Sequence, residues 1–460
     1  AGLDSSGIGV CQRGAPVTSD SPGGDKSTHD KAHRLLTQAT FGPVPSEIRR
    51  VQEIGETAWV DEQLSYPSAY DASGDPHCSY LERFKEIALQ SEPGIYGAQG
   101  AFDQIPNNRT RDYQISAWFE QALHAPDQLR GRVAFALSEL LVVSSQSTKL
   151  NFRGDATSYY YDVLAKHAFG NYRELLTHVS TSVAMGIFLS HQGNKKYDPN
   201  KKTYPDENYA RELMQLFTLG LWELNDDSTM KEDSQGDPIP TYTQQDVEAL
   251  ARVMTGYDIK ENTRYGRQSR GNGELWADAM EFTSDFHDYG EKTFLGQTIA
   301  EESPSEEFPK DLEKALDIIF AHSNVGPHIS RHLISKLVTS NPSGDYLKRV
   351  TAVFNDNGNG VKGDLKATVR AILLDEEARG DQYKNTAQFG KAKEPLIAFT
   401  QFLRAFHVTP LVGWKSLEGK EMQGVYQYRG PDTHLGQSPL RAPTVFNFFA
   451  YDFIPPEAQF

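Results

Sequence analysis

Residues 206–220 read Asp206-Glu207-Asn208-Tyr209-Ala210-Arg211-Glu212-Leu213-Met214-Gln215-Leu216-Phe217-Thr218-Leu219-Gly220. Tyr209, Leu213, Leu216 and Phe217 recur at helical intervals, so the spacing predicts one helix with an apolar stripe. Glu207, Asn208, Arg211, Glu212 and Gln215 fall on the opposite side and give the helix a face of carboxylates, a guanidinium and amides. Glu207–Arg211, Asn208–Glu212 and Arg211–Gln215 are i,i+4 pairs. If exposed, such pairs stabilise a helix by only about 0.2–0.5 kcal/mol each. The face is therefore either a solvated ladder of ion pairs or the wall of a polar site, where Arg211 and Glu212 would need partners and would titrate abnormally.

The helical period extends through most of the chain. Residues 28–65 read as two helices, with Pro43-Val44-Pro45-Ser46-Glu47 a turn and a helix start. Residues 66–110 lose the pattern. From Arg111 to Ser145 it returns, broken at Ala125-Pro126, and Asp127 is placed to cap the second half. A shorter helix over Tyr159–Phe169 stops at Gly170, and Asn171 can cap the next. Thr243-Gln244-Gln245-Asp246 resembles a capping box. Further helices are expected near 309–321, 325–339, 343–356, 364–376 and 391–406. Residues 257–310 break the period and suit short strands and functional loops. The fold class expected is mainly α: a large multi-helix domain over 28–460 with irregular loops and at most a few short strands. An irregular Gly/Ser/Pro-rich arm (1–27) precedes it, and an aromatic-rich tail over about 412–460 is expected to dock Phe446, Phe448, Phe449 and Phe453 on the helical body.

Composition removes several function classes. A formal net charge of −16 over 460 residues argues against nucleic acid and anionic membranes, while leaving room for a local basic cleft. No apolar run approaches the roughly 20 residues that span a bilayer, so no transmembrane segment is expected. Ala1-Gly2 would suit the residues left after signal cleavage. Cys11 and Cys78 are expected to pair as a disulfide in an oxidising compartment, because metal-type cysteine spacing is absent. There is no Gly-x-Ser-x-Gly elbow, Walker loop or dinucleotide fingerprint in context.

Several segments together carry a family resemblance. They are His33-Arg34-Leu35-Leu36 with Phe41-Gly42-Pro43; Gln128-Leu129-Arg130 with Arg132 through Ser138; Glu207 to Gly220; Tyr242-Thr243-Gln244; His287-Asp288 with Lys292 and Leu295-Gly296; Leu337 through Pro342; Gly436-Gln437-Ser438-Pro439; and Val445 through Phe449. From about residue 30 to the C-terminus the chain resembles the bacterial domain-of-unknown-function family numbered 1800. The resemblance implies an exported, largely helical bacterial protein, periplasmic or extracellular, with a companion exported protein as a partner. It brings no established activity.

The candidate chemistry centres on two segments. Asp285-Phe286-His287-Asp288-Tyr289-Gly290-Glu291-Lys292 concentrates carboxylates, an imidazole and an amine in one loop. His287 is the natural proton-transfer residue there. Asp285, His287 and Asp288 could also ligate a divalent ion, although no organic cofactor is expected. The bland alternative is a polar turn. His328 and His332 share a helix face at metal-ligand spacing, but Arg331 would repel a cation. Asn355 through Gly360 hints at a calcium loop and fails at Lys366, so a turn capped by Asp364 is the better reading. Tyr159-Tyr160-Tyr161 and Trp276 could stack on sugar rings.

These residues support an exported enzyme that cleaves a polysaccharide or similar polymer by hydrolysis or β-elimination. His287, Glu212, Arg211, Tyr257 and Asp288 are the catalytic candidates; in a lyase, His287 or Tyr257 would be the base and Arg211 would neutralise a uronate. Glu207, Asn208, Gln215, Lys292 and Trp276 are the substrate-binding candidates. The alternatives are a non-catalytic envelope binding or assembly protein and a metal-dependent hydrolase. The enzyme reading expects Arg211, Glu212 and His287 to face one cleft.

Overall fold

The computed structural model describes residues 26–67, 79–91, 109–146, 149–260, 276–304, 309–386, 388–408, 414–415, 421–422, 430–450 and 453. Helix follows helix along these segments. Residues 28–65 form α1 (His29–Ala39), α2 (Pro45–Ile54) and α3 (Glu56–Ser65), one helix more than the pattern suggests, because Gly55 at φ 87° turns the chain between two apolar faces. α4 (Tyr80–Ser91) lies where irregular chain was expected and pairs with α5 (Arg109–His124) around Phe84, Ile87 and Tyr113.

The centre is α6 (Gln128–Leu140) and α7 (Gly154–His167), both buried along nearly their whole length. Asp127 occupies the N-cap position of α6 without a capping bond from its side chain; it lies 3.3 Å from Arg130 instead. α8 (Tyr172–Thr181) does begin with Asn171 accepting from Arg173 N. α9 (Val183–Phe188) and α10 (Asn208–Gln215) follow. α10 is shorter than its apolar stripe, since the N–H groups of Leu219 and Gly220 both return to the Met214 carbonyl and Gly220 adopts φ 77°. The Thr243–Asp246 capping box opens α11 (Gln244–Val253) with both of its bonds present.

Strands are short antiparallel pairs: β1 (Tyr257–Asp258) with β2 (Glu281–Phe282), β3 (Lys292–Phe294) with β4 (Gln297–Ile299), and β5 (Trp414–Lys415) with β6 (Glu421–Met422). Then come α12 (Asp311–Ala321), α13 (Val325–Leu337), α14 (Gly344–Asn355), α15 (Leu365–Leu374), α16 (Glu376–Arg379), α17 (Pro395–Ala405) and α18 (Pro431–His434). Asp364 caps α15 by accepting from Ala367 N, and Asp356 and Asn357 close the preceding turn, so the Asn355–Gly360 segment is a turn. One apolar core runs from Ala32 to Leu440. Among the described residues no helix is long and apolar enough to cross a membrane.

Two structures outside the helices position the site. After α10, residues 221–240 fold back on themselves as a strap, with Trp222 bridged to Pro240 and Leu224 to Met230. Asn324, fully buried beside the start of α13, pins this strap: its amide donates to the Leu219 and Trp222 carbonyls at 2.9 and 2.8 Å and its oxygen accepts from Leu224 N at 2.9 Å. The aromatic tail does not dock as a block. Phe446 and Phe453 stay 63% and 47% exposed, while Phe448 and Phe449 are half-buried. Cys11 and Cys78, the expected disulfide, lie outside the described residues.

Candidate active site

A helix buried on all sides is ordinarily apolar on all sides. α6 departs from this with Arg132 and Glu139, two turns apart and therefore on one face. α13 packs on α6 and supplies the buried Lys336. The Lys336 ammonium donates to Glu139 Oε1 at 3.3 Å, to Glu394 Oε1 at 3.0 Å and to the Phe449 carbonyl at 3.2 Å. Its N–H groups are thereby all engaged. Gln437 Nε2 donates to Glu394 Oε2 at 2.6 Å and to Glu139 Oε1 at 3.4 Å, and Asn447 Nδ2 donates to Glu139 Oε1 at 3.0 Å.

Two carboxyl groups on one ammonium cannot both ionise cheaply in a buried site. Burial, and then the neighbouring Glu394, push Glu139 up to about 8. Burial also opposes ionisation of Glu394, but Lys336 foremost, then Glu139, Lys391 and Gln437, hold it below the usual carboxylate range. Lys336 stays charged, since the two carboxyl groups outweigh the desolvation of its amine. Burial and mutual repulsion thus favour one proton held by the pair, with Glu139 the member pushed towards the neutral form; its Oε2 is buried with no hydrogen-bond partner.

Glu139 stands at the edge of a cavity of about 420 Å³ between α6, α10, α13, the strap and the tail. Its walls are largely apolar: Leu216, Leu224, Met230, Val445 and Phe449. His328 and His332 of α13 also line it. Each gives its Nε2 proton to a main-chain carbonyl, of Leu216 and of Ala136 respectively, at 2.8 Å. Burial lowers both imidazoles, His332 to about 3, so they are neutral polar walls. A second cavity of about 320 Å³ lies beyond Glu394 and Arg132.

Of the catalytic and substrate-binding candidates named from the sequence, one lines the larger cavity. Gln215 lines the 420 Å³ cavity and accepts from the Tyr242 hydroxyl at 3.2 Å. Arg211 is half-buried, 2.9 Å from Glu207 and 2.9 Å from the Gln244 amide oxygen, and Asn208 is exposed. Glu212 is buried, raised by that burial, and its Oε2 has no partner. His287 is 1% exposed; its Nδ1 bonds the Thr255 carbonyl at 2.7 Å and its Nε2 lies 3.1 Å from Asp311. Lys292 is buried against the same Asp311 at 2.9 Å. Asp288 chelates Arg252 through both oxygens at 2.8 and 2.9 Å, which lowers its pKa against the cost of burial. Asp285 is exposed, so Asp285, His287 and Asp288 face three different surroundings and do not converge on one ion.

Arg211 contacts Gln244 at the start of α11, whereas Asp288 contacts Arg252 near its end, about 12 Å further along the helix axis. Arg211, Glu212 and His287 line neither of the two cavities. Tyr257 is in the core, its hydroxyl raised well above its ordinary value by burial. The Trp276 ring is covered by Arg153, whose guanidinium lies 4.4 Å from the ring centroid. Tyr160 and Tyr161 are fully buried and offer no stacking surface. The described residues do gather one metal-type donor set, His167, Glu174 and His178, with ligand atoms within 4.8 Å of one another where α7 meets α8.

A family model described as "Protein of unknown function (DUF1800)" matches residues 34–460. The chain belongs to the DUF1800 family. No curated protein and no solved structure matches it. In this DUF1800 chain some of the segments that carry the family resemblance border the two cavities. Arg132, Gln437 and Asn447 touch or border the carboxyl pair, Gln215 and Gly220 line the first cavity, and Arg34 and Val338 line the second. Sequence reasoning missed Glu139 and Lys336 because each is a single charge in a largely apolar stretch of helix, and Glu394 because it reads with Lys391 and Lys393 as one solvated charged run. The available signal was the pair of charges two turns apart in a helix with no polar face.

Proposed function

We propose that this protein is an acid–base enzyme whose reaction takes place in the 420 Å³ cavity, with Glu139 as the proton donor. The observation that carries this reading is a carboxyl group raised to about 8 at the edge of a largely apolar chamber. An acid with that affinity is protonated at neutral pH and can release its proton to a leaving group. Lys336, Gln437 and Asn447 already donate to Glu139 Oε1 and would stabilise the anion left behind. The low polarity of the walls strengthens each of these contacts. The volume falls in the range of small-molecule sites.

Trp222 and Phe446 stand among its lining residues, and aromatic faces of this kind suit the apolar face of a sugar ring. Protonation of a glycosidic oxygen by a raised carboxyl is the chemistry of glycoside hydrolysis. The substrate class that fits is thus the end of a glycan chain, in an exported bacterial protein. Elimination with His287 or Tyr257 as base draws less support, because both side chains are buried.

A second reading, a binding protein for an apolar segment of a partner, is favoured by exposed Leu221, Met230 and Phe446, 49%, 53% and 63% accessible, among the residues of this cavity. One experiment separates the two. The wild-type, Glu139→Gln and Glu212→Gln proteins are assayed on neutral and acidic oligosaccharides. Catalysis by Glu139 predicts a loss of about 100-fold or more in kcat for Glu139→Gln alone. Turnover that Glu139→Gln leaves unchanged, or that Glu212→Gln alone abolishes, rejects it.

A further inference from the structure

The 320 Å³ cavity is charged in the opposite sense to the protein as a whole. The chain carries a net −16, yet Arg34, Arg132, Lys391 and Lys393 line this cavity together with His33, and Glu394 is the acid among its lining residues. The charge of Glu394 is already committed to Lys336 and Gln437. Among the cations, Arg34 already donates to the Arg379 and Gly380 carbonyls and pairs with Asp381 at 3.5 Å, whereas Arg132 is less fully engaged. Arg132 is 3% exposed; its Nη2 donates to the Lys336 carbonyl at 2.9 Å, and its Nε and Nη1 have no hydrogen-bond partner. A buried guanidinium with free N–H groups is costly to leave unmatched. Nearby, Arg34 Nε and Thr37 Oγ1 are also buried without partners, and both are donors.

Lys391 donates to the same Lys336 carbonyl at 2.8 Å and lies 3.9 Å from Glu394; burial lowers its amine to about 8. Lys393 is exposed and reaches only the Gln401 amide oxygen, at 2.6 Å. Unused donors and an excess of cations around one cavity call for acceptors that carry negative charge. A guanidinium is a permanently charged donor suited to carboxylate and phosphate oxygens, and the unpartnered Nε and Nη1 of Arg132, on different sides of the group, would each meet a separate acceptor oxygen. We infer that this second cavity binds a small organic anion, a carboxylate- or phosphate-bearing molecule, seated on Arg132 with Lys393 at its edge.

The full-length protein is titrated calorimetrically at low ionic strength with sodium phosphate, with sodium glucuronate, and with glucose as the uncharged control. The expected result is saturable binding of at least one anion, none of glucose, and weakening as salt is raised. Arg132→Gln and Lys393→Glu each lower the affinity about tenfold or more. Binding of phosphate alone identifies a phosphate ester as the ligand class, and binding of glucuronate alone identifies a carboxylate. Lys393→Glu touches no core contact, so it carries the test if Arg132→Gln does not fold. No saturable binding of either anion, or binding that the folded variants leave unchanged, overturns the inference.

Discussion

Lys336 Nζ lies 3.0 Å from Glu394 Oε1 and 3.3 Å from Glu139 Oε1, so a single buried ammonium serves two carboxyl groups. The nearer carboxyl takes the charge and the other keeps the proton. Glu394 takes donors on both oxygens, with Lys336 and Lys391 beside one and the shortest Gln437 contact on the other, whereas Glu139 takes Lys336, Gln437 and Asn447 on Oε1 and none on Oε2. A buried ion pair of this kind is weak evidence for stability, since desolvation offsets most of its Coulomb energy.

Removing the ammonium should be far worse than neutralising the acid. Lys336→Met leaves the Glu394 anion buried with only the more distant Lys391 ammonium, at 3.9 Å, as a cation partner, which is expected to destabilise the fold by about 3 kcal/mol. Glu139→Gln keeps the shape of a group that is already neutral and should change stability by no more than about 1 kcal/mol. Urea unfolding of both variants at neutral pH checks this. Equal losses in the two would mean that the proton is not on Glu139.

The pH dependence of stability carries the same signature. Glu139 is raised in the folded protein from 4.5 to about 8, so its contribution is fully present below 4.5 and is lost as pH rises towards 8. The buried histidines work at the other end. Burial lowers His332 to about 3 and His191 to about 4, so their contribution is present above 6.5 and lost as pH falls. The unfolded imidazoles are still half protonated at 6.5, so the histidine slope fades only about one pH unit higher. The Glu139 contribution is therefore read as the difference between the two proteins: the stability of wild type relative to Glu139→Gln should fall as pH rises from 6.5 to 8. Thermal melts at half-unit intervals would show it, and parallel curves for the two proteins would contradict the raised acid.

The strap that walls the larger cavity hangs on one side chain. Asn324→Ala removes three hydrogen bonds to residues 219–224 and strands two carbonyls and an N–H. The expected loss is about 2–3 kcal/mol, each orphaned buried group costing its desolvation. Faster amide exchange should be confined to residues 219–241. Uniformly faster exchange over α6 and α13 as well would show that Asn324 supports the core instead of the strap.

How much of this was legible from the sequence depends on range. α12, α13, α14 and α15 lie within a few residues of their expected bounds because apolar period and caps are local signals. The Thr243 box was legible for the same reason. Asp127 failed as a cap because Arg130, one turn on, takes its carboxylate. The polar stripe of α10 was real, yet it splits: Arg211 makes a half-exposed ladder with Glu207, and only Gln215 reaches a cavity. Glu139, Lys336, Glu394, Gln437 and Asn447 come from five separate segments, and no spacing rule joins residues so far apart. What could be read was the discord of a charge within an apolar helix, which marks burial with a partner without naming it.

Asn447 tests whether the donors around Glu139 are held by design of the backbone. It adopts φ 65°, a left-handed conformation that costs most side chains about 1–2 kcal/mol and that Asn tolerates better than most. There it donates to Glu139 Oε1 at 3.0 Å. Asn447→Gly deletes the donor and relieves the backbone, whereas Asn447→Ala deletes the donor and keeps the strain. The Ala variant should therefore be less stable than the Gly variant by about 1 kcal/mol. Both lose a hydrogen bond that favours the Glu139 anion, so in both the acid should hold its proton to higher pH. Unfolding curves measure the first difference, and the carboxyl carbon shift of Glu139 followed by NMR across pH measures the second. Equal stability of the two variants together with an unmoved titration would separate Asn447 from both roles.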